Sequence, residues 1–231
     1  MRVVLVHGSV GNGPIAWAPV QQLVEHFELV VPNRGGYPPG PLLDRIDFAK
    51  QAAELAPLLA DGAHLVGHSY GGVISLLMAA RRPEAIYSLT VSEPPAFALA
   101  RGNPEVERLV SRLAELFESG APDPAEFLRR FGEIVGSAPA VIDPLPAELE
   151  QGIRALMVER LPWEAEIPVD AIAGAPFRKL VISGGHSPAF DAVCDVLAER
   201  IGAERAVLPG AGHRVPRAPG YVELLEGFLS R

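Results

Sequence analysis

The feature that most constrains this chain is a glycine-flanked serine at the junction of an apolar run and a helical pattern. Leu65 and Val66 lead into Gly67-His68-Ser69-Tyr70-Gly71, and apolar residues at helical spacing follow as far as Met78. A serine at the apex of so tight a strand-to-helix turn takes an unfavourable backbone conformation, and the flanking glycines remove side chains that would collide there. The G-x-S-x-G pattern therefore predicts that Ser69 is a nucleophile at the N-terminus of a helix, whose dipole favours developing negative charge.

Short apolar strands alternate with amphipathic helical patterns along most of the chain. Besides the strand before Ser69, strands are predicted at residues 2–6, 29–31, 86–92, 179–183 and 205–208. This alternation predicts an α/β protein with a doubly wound, mostly parallel sheet, in which ligands bind beyond the carboxyl ends of the strands. Polar residues that directly follow predicted strands, and that we expect on this one rim, are Ser9, Ser69, Glu93, Ser187 and His213.

The alternation stops between about residues 96 and 176, where the spacing predicts helices alone. These helices are predicted at residues 105–118, 124–135 and 146–161, each after a proline, asparagine or aspartate. We expect residues 96–176 to form a helical cap that partly excludes water from the rim, with residues 1–95 and 177–231 as the core. The alternative is that these helices simply pack on the sheet.

Three motifs, in this order along the chain, resemble the α/β-hydrolase superfamily. They are His7-Gly8 after the first strand, Gly67-His68-Ser69-Tyr70-Gly71, and Gly210-Ala211-Gly212-His213 after the last strand. The resemblance implies a cofactor-free hydrolase fold with a shortened N-terminus, because the chain starts at what would be the third strand of the family's sheet. The superfamily has many activities, so the resemblance defines fold and chemistry better than substrate.

A serine nucleophile needs a base and, in a triad, an acid that orients the base. His213, in a glycine-rich loop, is the predicted base that takes the proton of Ser69. The resembled family usually places an aspartate after the strand at 179–183, but that loop reads Gly184-Gly185-His186-Ser187. Some members carry the acid after the strand that follows the elbow helix, which here gives Glu93. We predict Glu93 as the acid, with Asp191 as the alternative and a water-assisted dyad as a third possibility.

Backbone N–H groups next to the nucleophile are expected to hold the oxyanion. One is that of Tyr70, and the other belongs to the glycine-rich loop after the first strand, at Ser9 or, failing that, Val10. The predicted substrate contacts are Gly8, Val10, Trp17 and His68. Residues that could line an apolar pocket between cap and rim, a few of them touching ligand, are Trp17, Phe97, Phe117, Phe127, Phe131, Met157 and Trp163.

Composition narrows the classes of partner. The net charge of −8 and the pI near 5.3 argue against nucleic acid and anionic membranes. No metal and no cofactor are predicted, because no residue cluster has metal-ligand spacing and no glycine-rich loop matches a phosphate or dinucleotide site. Without a signal peptide, an apolar run approaching ~18 residues or a second cysteine beside Cys194, the chain is expected to be cytoplasmic, as a monomer or a homodimer.

These patterns predict a serine hydrolase that cleaves a small or medium, apolar ester or thioester through an acyl-enzyme. Its partner is then a small-molecule substrate. Two alternatives stay open. A non-catalytic ligand-binding protein on the same fold is favoured by the missing acid after residue 183. Another reaction of the scaffold, such as C–C hydrolysis, perhydrolysis or cyanohydrin cleavage, would use the same serine and histidine.

Overall fold

A parallel sheet forms the centre of the protein in this computed structural model, which describes residues 1–119, 123–137 and 144–231. The strands are β1 (Arg2–Val6), β2 (Glu28–Val30), β3 (Ala63–His68), β4 (Ile86–Ser92), β5 (Arg178–Ser183) and β6 (Glu204–Val207). They lie in the order β2-β1-β3-β4-β5-β6, and every neighbouring pair is parallel. The predicted α/β fold with a doubly wound, parallel sheet is confirmed.

Helices connect the strands. They are α1 (Gly13–Ala16), α2 (Phe48–Leu55), α3 (Tyr70–Arg81), α4 (Pro104–Ser119), α5 (Pro124–Val135), α6 (Ala147–Met157), α7 (Val169–Ala173), α8 (Pro188–Ile201) and α9 (Tyr221–Leu229). Among the described helices, none has the length and apolar character needed to cross a lipid bilayer.

The alternation of side chains along β1 shows that both faces of the sheet are covered. Val4 and Val6 pack in a cluster with the apolar residues of α2, α3 and α8, whereas Val3 and Leu5 pack in a second cluster with those of α9. Successive side chains of a strand point to opposite faces, so the two clusters lie on opposite sides of the sheet. A strand buried on both faces is the expected environment for the continuous apolar run at the start of this chain.

Two segments predicted as α-helix are 3₁₀ where a proline prevents a continuous α-helix. The residues predicted as a helix from about 17 to 27 instead form a 3₁₀ segment, Ala18–Glu25, that follows α1, and the pattern predicted at 47–59 is α2 followed by a 3₁₀ segment, Ala56–Leu59. Pro19 and Pro57 lack the N–H that an α-helix needs and would clash with the preceding turn. Apolar spacing alone did not reveal these breaks.

The helix predicted at 146–161 ends early because the chain pairs with another segment. After α6, the N–H of Ile46 donates to the carbonyl of Val158 at 3.0 Å, and the N–H of Arg160 donates to that of Ile46 at 2.7 Å. These two bonds form a bridge between Ile46 and Glu159 that places Glu159 outside the helix.

Residues 96–176, here called the helical insertion, contact both the rim and the core in their described part. Leu116, Phe127 and Ile153 join α4, α5 and α6 in an apolar cluster against Val10, which lies in the loop after β1. By contrast, α4 and α7 also pack against α8, beside the sheet. Part of the insertion thus packs against the loop after β1 and part packs beside the sheet, and a separate cap at residues 96–176 stays a prediction.

The start of α3 is packed so closely that a single methyl group should disturb it. A Cβ at Gly71 would collide with the carbonyl oxygens of Val6 and His7, whereas one at Gly227, inside α9, would meet no heavy atom within 4 Å. We expect Gly71→Ala to lower the free energy of unfolding by about 2–3 kcal/mol. The control Gly227→Ala should raise it by up to about 1 kcal/mol, because alanine favours a helix. Urea unfolding of both variants measures this, and equal effects would contradict the packing described.

Candidate active site

Ser69 occupies the sharp turn that the sequence predicts. It lies between β3 and α3 with φ of 53° and ψ of −128°, a region that non-glycine residues rarely adopt. Its N–H donates to the carbonyl of Ser92 at 2.9 Å, and its own carbonyl accepts from Gly72 at 2.7 Å. A Cβ at Gly67 would collide with the hydroxyl of Ser75. The neighbouring strand and the missing side chain together hold the strained conformation.

A chain of hydrogen bonds joins the three predicted triad side chains. The hydroxyl of Ser69 lies 2.8 Å from Nε2 of His213, and Nδ1 of His213 lies 2.6 Å from Oε2 of Glu93. Since Glu93 can only accept when ionised, Nδ1–H donates to it and Nε2 is free to accept from Ser69. The imidazole of His213 also stacks on Phe190, with ring centroids 4.5 Å apart. Residues far apart in the sequence therefore meet at one point of the rim.

Glu93 is fully buried yet ionised. The N–H of Gly184 donates to Oε1 at 2.6 Å, and Nδ1 of His186 lies 3.3 Å from the same oxygen. Burial by itself would raise the pKa of Glu93, but the hydrogen bonds and charges of His186 and His213 outweigh it and lower the pKa to about 2. The carboxylate is thus charged at neutral pH and faces both histidines.

His186 occupies the loop in which the predicted pattern lacked an acid. Its Nε2–H donates to the carbonyl of Val135, at the end of α5, at 3.1 Å. Burial opposes the charged imidazole, but the bond to Glu93 and its charge prevail, so the pKa of His186 is raised. Sequence reasoning missed this contact, although the place of His186 in the expected acid loop is the signal that could have found it.

Asp191 does not reach His213, so the alternative acid is wrong. It lies in the first turn of α8 and accepts a hydrogen bond from the hydroxyl of Ser183. Its carboxylate also lies 3.6 Å from the guanidinium of Arg205. The carboxylate of Asp191 is thus bound to the end of β5 and to β6, and it makes no hydrogen bond to His213.

Two backbone N–H groups beside Ser69 have no acceptor among the described residues. They belong to Tyr70, the first residue of α3, and to Ser9, in the loop after β1. That loop approaches the nucleophile closely, since a Cβ at Gly8 would lie 2.9 Å from Cβ of Ser69. On its outer side, the carbonyl of Val10 is covered by α6, where Gly152 leaves the necessary space. Ser9, Ser69 and Tyr70 line the same cavity.

A buried ion pair holds the loop after β1 in place. Nη2 of Arg34 lies 2.7 Å from Oε1 of Glu159, and both side chains are buried. The hydroxyl of Tyr37 donates to Oε1 of Glu159 at 2.8 Å, and that of Ser9 donates to Oε2 at 2.5 Å. Arg34 also donates to the carbonyl of Gly8 at 3.0 Å. Glu159 therefore connects the helical insertion to the loop that carries the free N–H of Ser9.

Sequence reasoning gave no role to Glu159. Burial disfavours the charged guanidinium of Arg34, but Glu159 and Tyr37 outweigh it, so the pKa of Arg34 is raised. A carboxylate directly after the apolar residues 155–158 is the local signal that could have suggested a buried partner.

Two cavities meet at Ser69 and His213. The first, here called the inner pocket, has a volume of about 30 Å³ and lies under the helical insertion. Its apolar lining includes Phe97, Leu113, Phe117, Phe131, Trp163 and Phe190. The second, here called the outer cavity, has a volume of about 460 Å³. Gly8, Val10 and His68, three of the predicted substrate contacts, line the outer cavity.

His68 and Trp17 are both predicted substrate contacts, but only His68 lines a cavity. His68 donates from Nε2 to the carbonyl of His213 at 2.7 Å, and burial, with the nearby charge of His213, lowers its pKa to about 4. Trp17 lines neither cavity, so its predicted contact with substrate is wrong. It is fully buried with Val3 and Leu5, where the 3₁₀ segment places it on the face of the sheet that α9 covers.

Comparison with known proteins identifies the family. The model of the Alpha/beta hydrolase family matches residues 3–222. The chain belongs to the alpha/beta hydrolase family. The prediction of a hydrolase with this fold is thereby confirmed.

This alpha/beta hydrolase is similar to lipase LipV of Mycobacterium tuberculosis, with 29% identity over 238 residues that cover 94% of the chain and 88% of the relative. It is also 34% identical over 98 residues to a pimeloyl-[acyl-carrier protein] methyl ester esterase of Aeromonas salmonicida, covering 41% of the chain and 39% of that protein. Among solved structures, an alpha/beta hydrolase from Sphaerobacter thermophilus DSM 20745 matches with a TM-score of 0.68 and 24% identity, over 99% of this chain and 92% of that one. The last likeness concerns the fold.

The buried position of Glu159 predicts a large loss of stability on truncation. Glu159→Ala leaves the guanidinium of Arg34 buried without its partner, which should cost about 3–5 kcal/mol. Glu150→Ala is the matched control, because Glu150 pairs with Arg154 at 2.7 Å on the exposed side of α6. That pair should contribute less than about 1 kcal/mol. Urea unfolding compares the two, and similar losses would contradict a buried, desolvated pair.

Proposed function

We propose that this protein is a serine esterase that cleaves an ester or thioester of a small molecule through an acyl-enzyme. The observation that carries the proposal is the continuous hydrogen-bond chain from Ser69 through His213 to Glu93. The lipase and the methyl ester esterase to which the chain is similar support an ester bond as the target. Both the kind of substrate and the role of Ser69 as the nucleophile are part of this proposal.

The geometry supports a two-step mechanism. The hydroxyl oxygen of Ser69 attacks the substrate carbonyl as its proton passes to Nε2 of His213. The tetrahedral intermediate collapses, the bond to the leaving alcohol or thiol breaks, and the leaving group takes the proton from His213. Water then attacks the acyl-enzyme, loses a proton to His213, and the acid product leaves as the proton returns to Ser69.

Charge stabilisation in this mechanism comes from groups that are already in place. Ionised Glu93 accepts from Nδ1–H of His213 and stabilises the imidazolium that forms during attack. The free N–H groups of Tyr70 and Ser9 hold the developing oxyanion, aided by the N-terminus of α3. Because these donors are held by packing and not by the substrate, no reorganisation is needed when the charge appears.

The two cavities support a small or medium substrate. The inner pocket, at about 30 Å³ and with aromatic walls, suits a short uncharged group. The outer cavity, at about 460 Å³, has room for the larger part of the molecule. The non-catalytic alternative rested on the missing acid after β5, and the hydrogen bond of His213 to Glu93, after β4, supports the catalytic proposal instead. No observation favours the other reactions of the scaffold.

Covalent labelling tests the nucleophile. A fluorophosphonate probe phosphorylates an activated serine, so we expect it to label the wild-type protein and not the Ser69→Ala variant. Hydrolysis of a short-chain ester should fall by a factor of at least about 10⁴ in the same variant. The control is Ser111→Ala, since Ser111 is exposed on α4. Unlabelled, folded wild type, or labelling that survives in Ser69→Ala, would contradict the proposal.

The identity of the acid can be tested separately. Glu93→Gln keeps the shape of the side chain, but the amide cannot stabilise the imidazolium and favours the wrong tautomer of His213. We expect kcat to fall by about 10³–10⁴-fold with a smaller change in KM. Asp191→Asn should leave kcat near the wild-type value, because Asp191 bonds to Ser183 instead. Circular dichroism confirms folding of both variants, and an equal loss in the two would reject Glu93 as the acid.

A further inference from the structure

The outer cavity is lined by two positively charged side chains that have no role in the proposed mechanism. Besides Ser69 and His213, its lining includes Arg214 and Arg217, and it includes no aspartate or glutamate among the described residues. Both arginines are exposed, so they lie where the cavity meets solvent. A substrate that extends from the nucleophile into this cavity therefore approaches two positive charges.

The local backbone places both arginines on the same side. They flank and end the 3₁₀ turn Val215–Arg217, in which residues three apart lie one above the other. The buried side chains of Val215 and Pro216 anchor this turn to the core. Arg214 directly follows the base histidine, so the position of the turn is tied to the catalytic geometry.

Neither guanidinium is neutralised within the part of the chain that the structure describes. No described carboxylate lies within ion-pair distance of Arg214 or Arg217, and the arginines that do form ion pairs are others. Arg217 donates from Nη2 to the carbonyl of Ile15 at 3.2 Å, which fixes its direction without cancelling its charge. In a protein of net charge −8, this leaves a local positive site at the cavity.

Among its described lining residues, the inner pocket offers no comparable positive charge. Its lining includes Glu159, whose partner Arg34 does not line the pocket, so an anionic group there would meet a carboxylate and no guanidinium. An anion is accordingly disfavoured in the inner pocket and favoured in the outer cavity. The two cavities differ in charge as well as in size. Both differences favour a small uncharged group in the inner pocket and the larger, anionic part of the substrate in the outer cavity.

We propose that the outer cavity binds the anionic end of the ester substrate, a carboxylate or a phosphate, through Arg214 and Arg217, while the inner pocket takes the small uncharged end. This inference rests on the proposed esterase function and narrows it to esters with a charged terminus. Guanidinium groups suit the assignment because their planar array of N–H donors matches the oxygens of carboxylate and phosphate.

Two pairs of substrates test the assignment and separate the sources of the charge. The first pair is monomethyl adipate and methyl hexanoate, which have the same chain length and differ in a terminal carboxylate on the acyl side. The second pair is S-acetyl-4′-phosphopantetheine and S-acetylpantetheine, which share the thioester and the pantetheine chain and differ in one phosphate on the leaving-group side. For each pair, the measured quantity is the ratio of kcat/KM for the anionic substrate to that for the neutral one.

The test variant is the double substitution Arg214→Gln/Arg217→Gln. The control is Arg200→Gln, which removes one exposed arginine at the end of α8 that lines neither cavity. We expect the double variant to lower the ratio by roughly three- to tenfold in at least one pair, the size expected for exposed charges. Arg200→Gln should leave the ratio as in wild type. The wild-type ratio should also fall as salt is raised, because the attraction is screened.

The outcomes distinguish this inference from the proposal on which it rests. A ratio that is the same in wild type and in the double variant, for both pairs, overturns the anion site while Ser69-dependent labelling is retained. Absence of that labelling overturns both. A fall confined to the adipate pair assigns the carboxylate of an acyl group, and one confined to the thioester pair assigns a phosphate of the leaving group.

Discussion

The charge of Glu93, buried at the rim, is the constraint on which the arrangement of the site depends. An ionised carboxylate without solvent is stable only if hydrogen bonds replace its water. The N–H of Gly184 and Nδ1–H of His213 do so, at 2.6 Å each, with His186 close by. Since these groups follow β5 and β6 and Glu93 follows β4, the bonds require β4, β5 and β6 to be neighbours in this order. The hydrogen bonds around Glu93 therefore depend directly on the order of the strands in the sheet.

The helical insertion contributes to the site beyond covering it. At the end of α5, the carbonyl of Val135 accepts from His186, and that of Gly136 accepts from the N–H of His213 at 3.2 Å. Gly136 has a φ of 70°, and a Cβ there would collide with the ring of His186. The close approach therefore needs a glycine at this helix end. Both histidines that face Glu93 form hydrogen bonds with the insertion, so the position of the insertion and the orientation of His213 are physically coupled.

Much of the fold and the triad could be predicted because the relevant information is local. The glycines around Ser69 and the apolar strands are visible in a few consecutive residues, whereas the order of the strands in the sheet depends on pairings between distant segments and was not predicted. The buried position of Trp17 could not be predicted, because helical spacing does not show which face of the sheet a helix covers. The contact of Glu159 with Arg34 joins residues 125 positions apart, and no local pattern encodes such a pairing.

The contacts of Glu159 explain why a buried ion pair, which is costly to desolvate, lies near Ser69. Replacing such a pair by apolar residues is often neutral or stabilising, so stability alone does not account for it. Here, one oxygen of Glu159 accepts from Arg34 and Tyr37 and the other from the hydroxyl of Ser9. An apolar side chain could fill the space but could not accept the hydrogen bond of the Ser9 hydroxyl, so the loop after β1 would lose this contact with the helical insertion. The same carboxylate lines the inner pocket, so one residue both holds the loop beside Ser69 and makes that pocket unfavourable for anions.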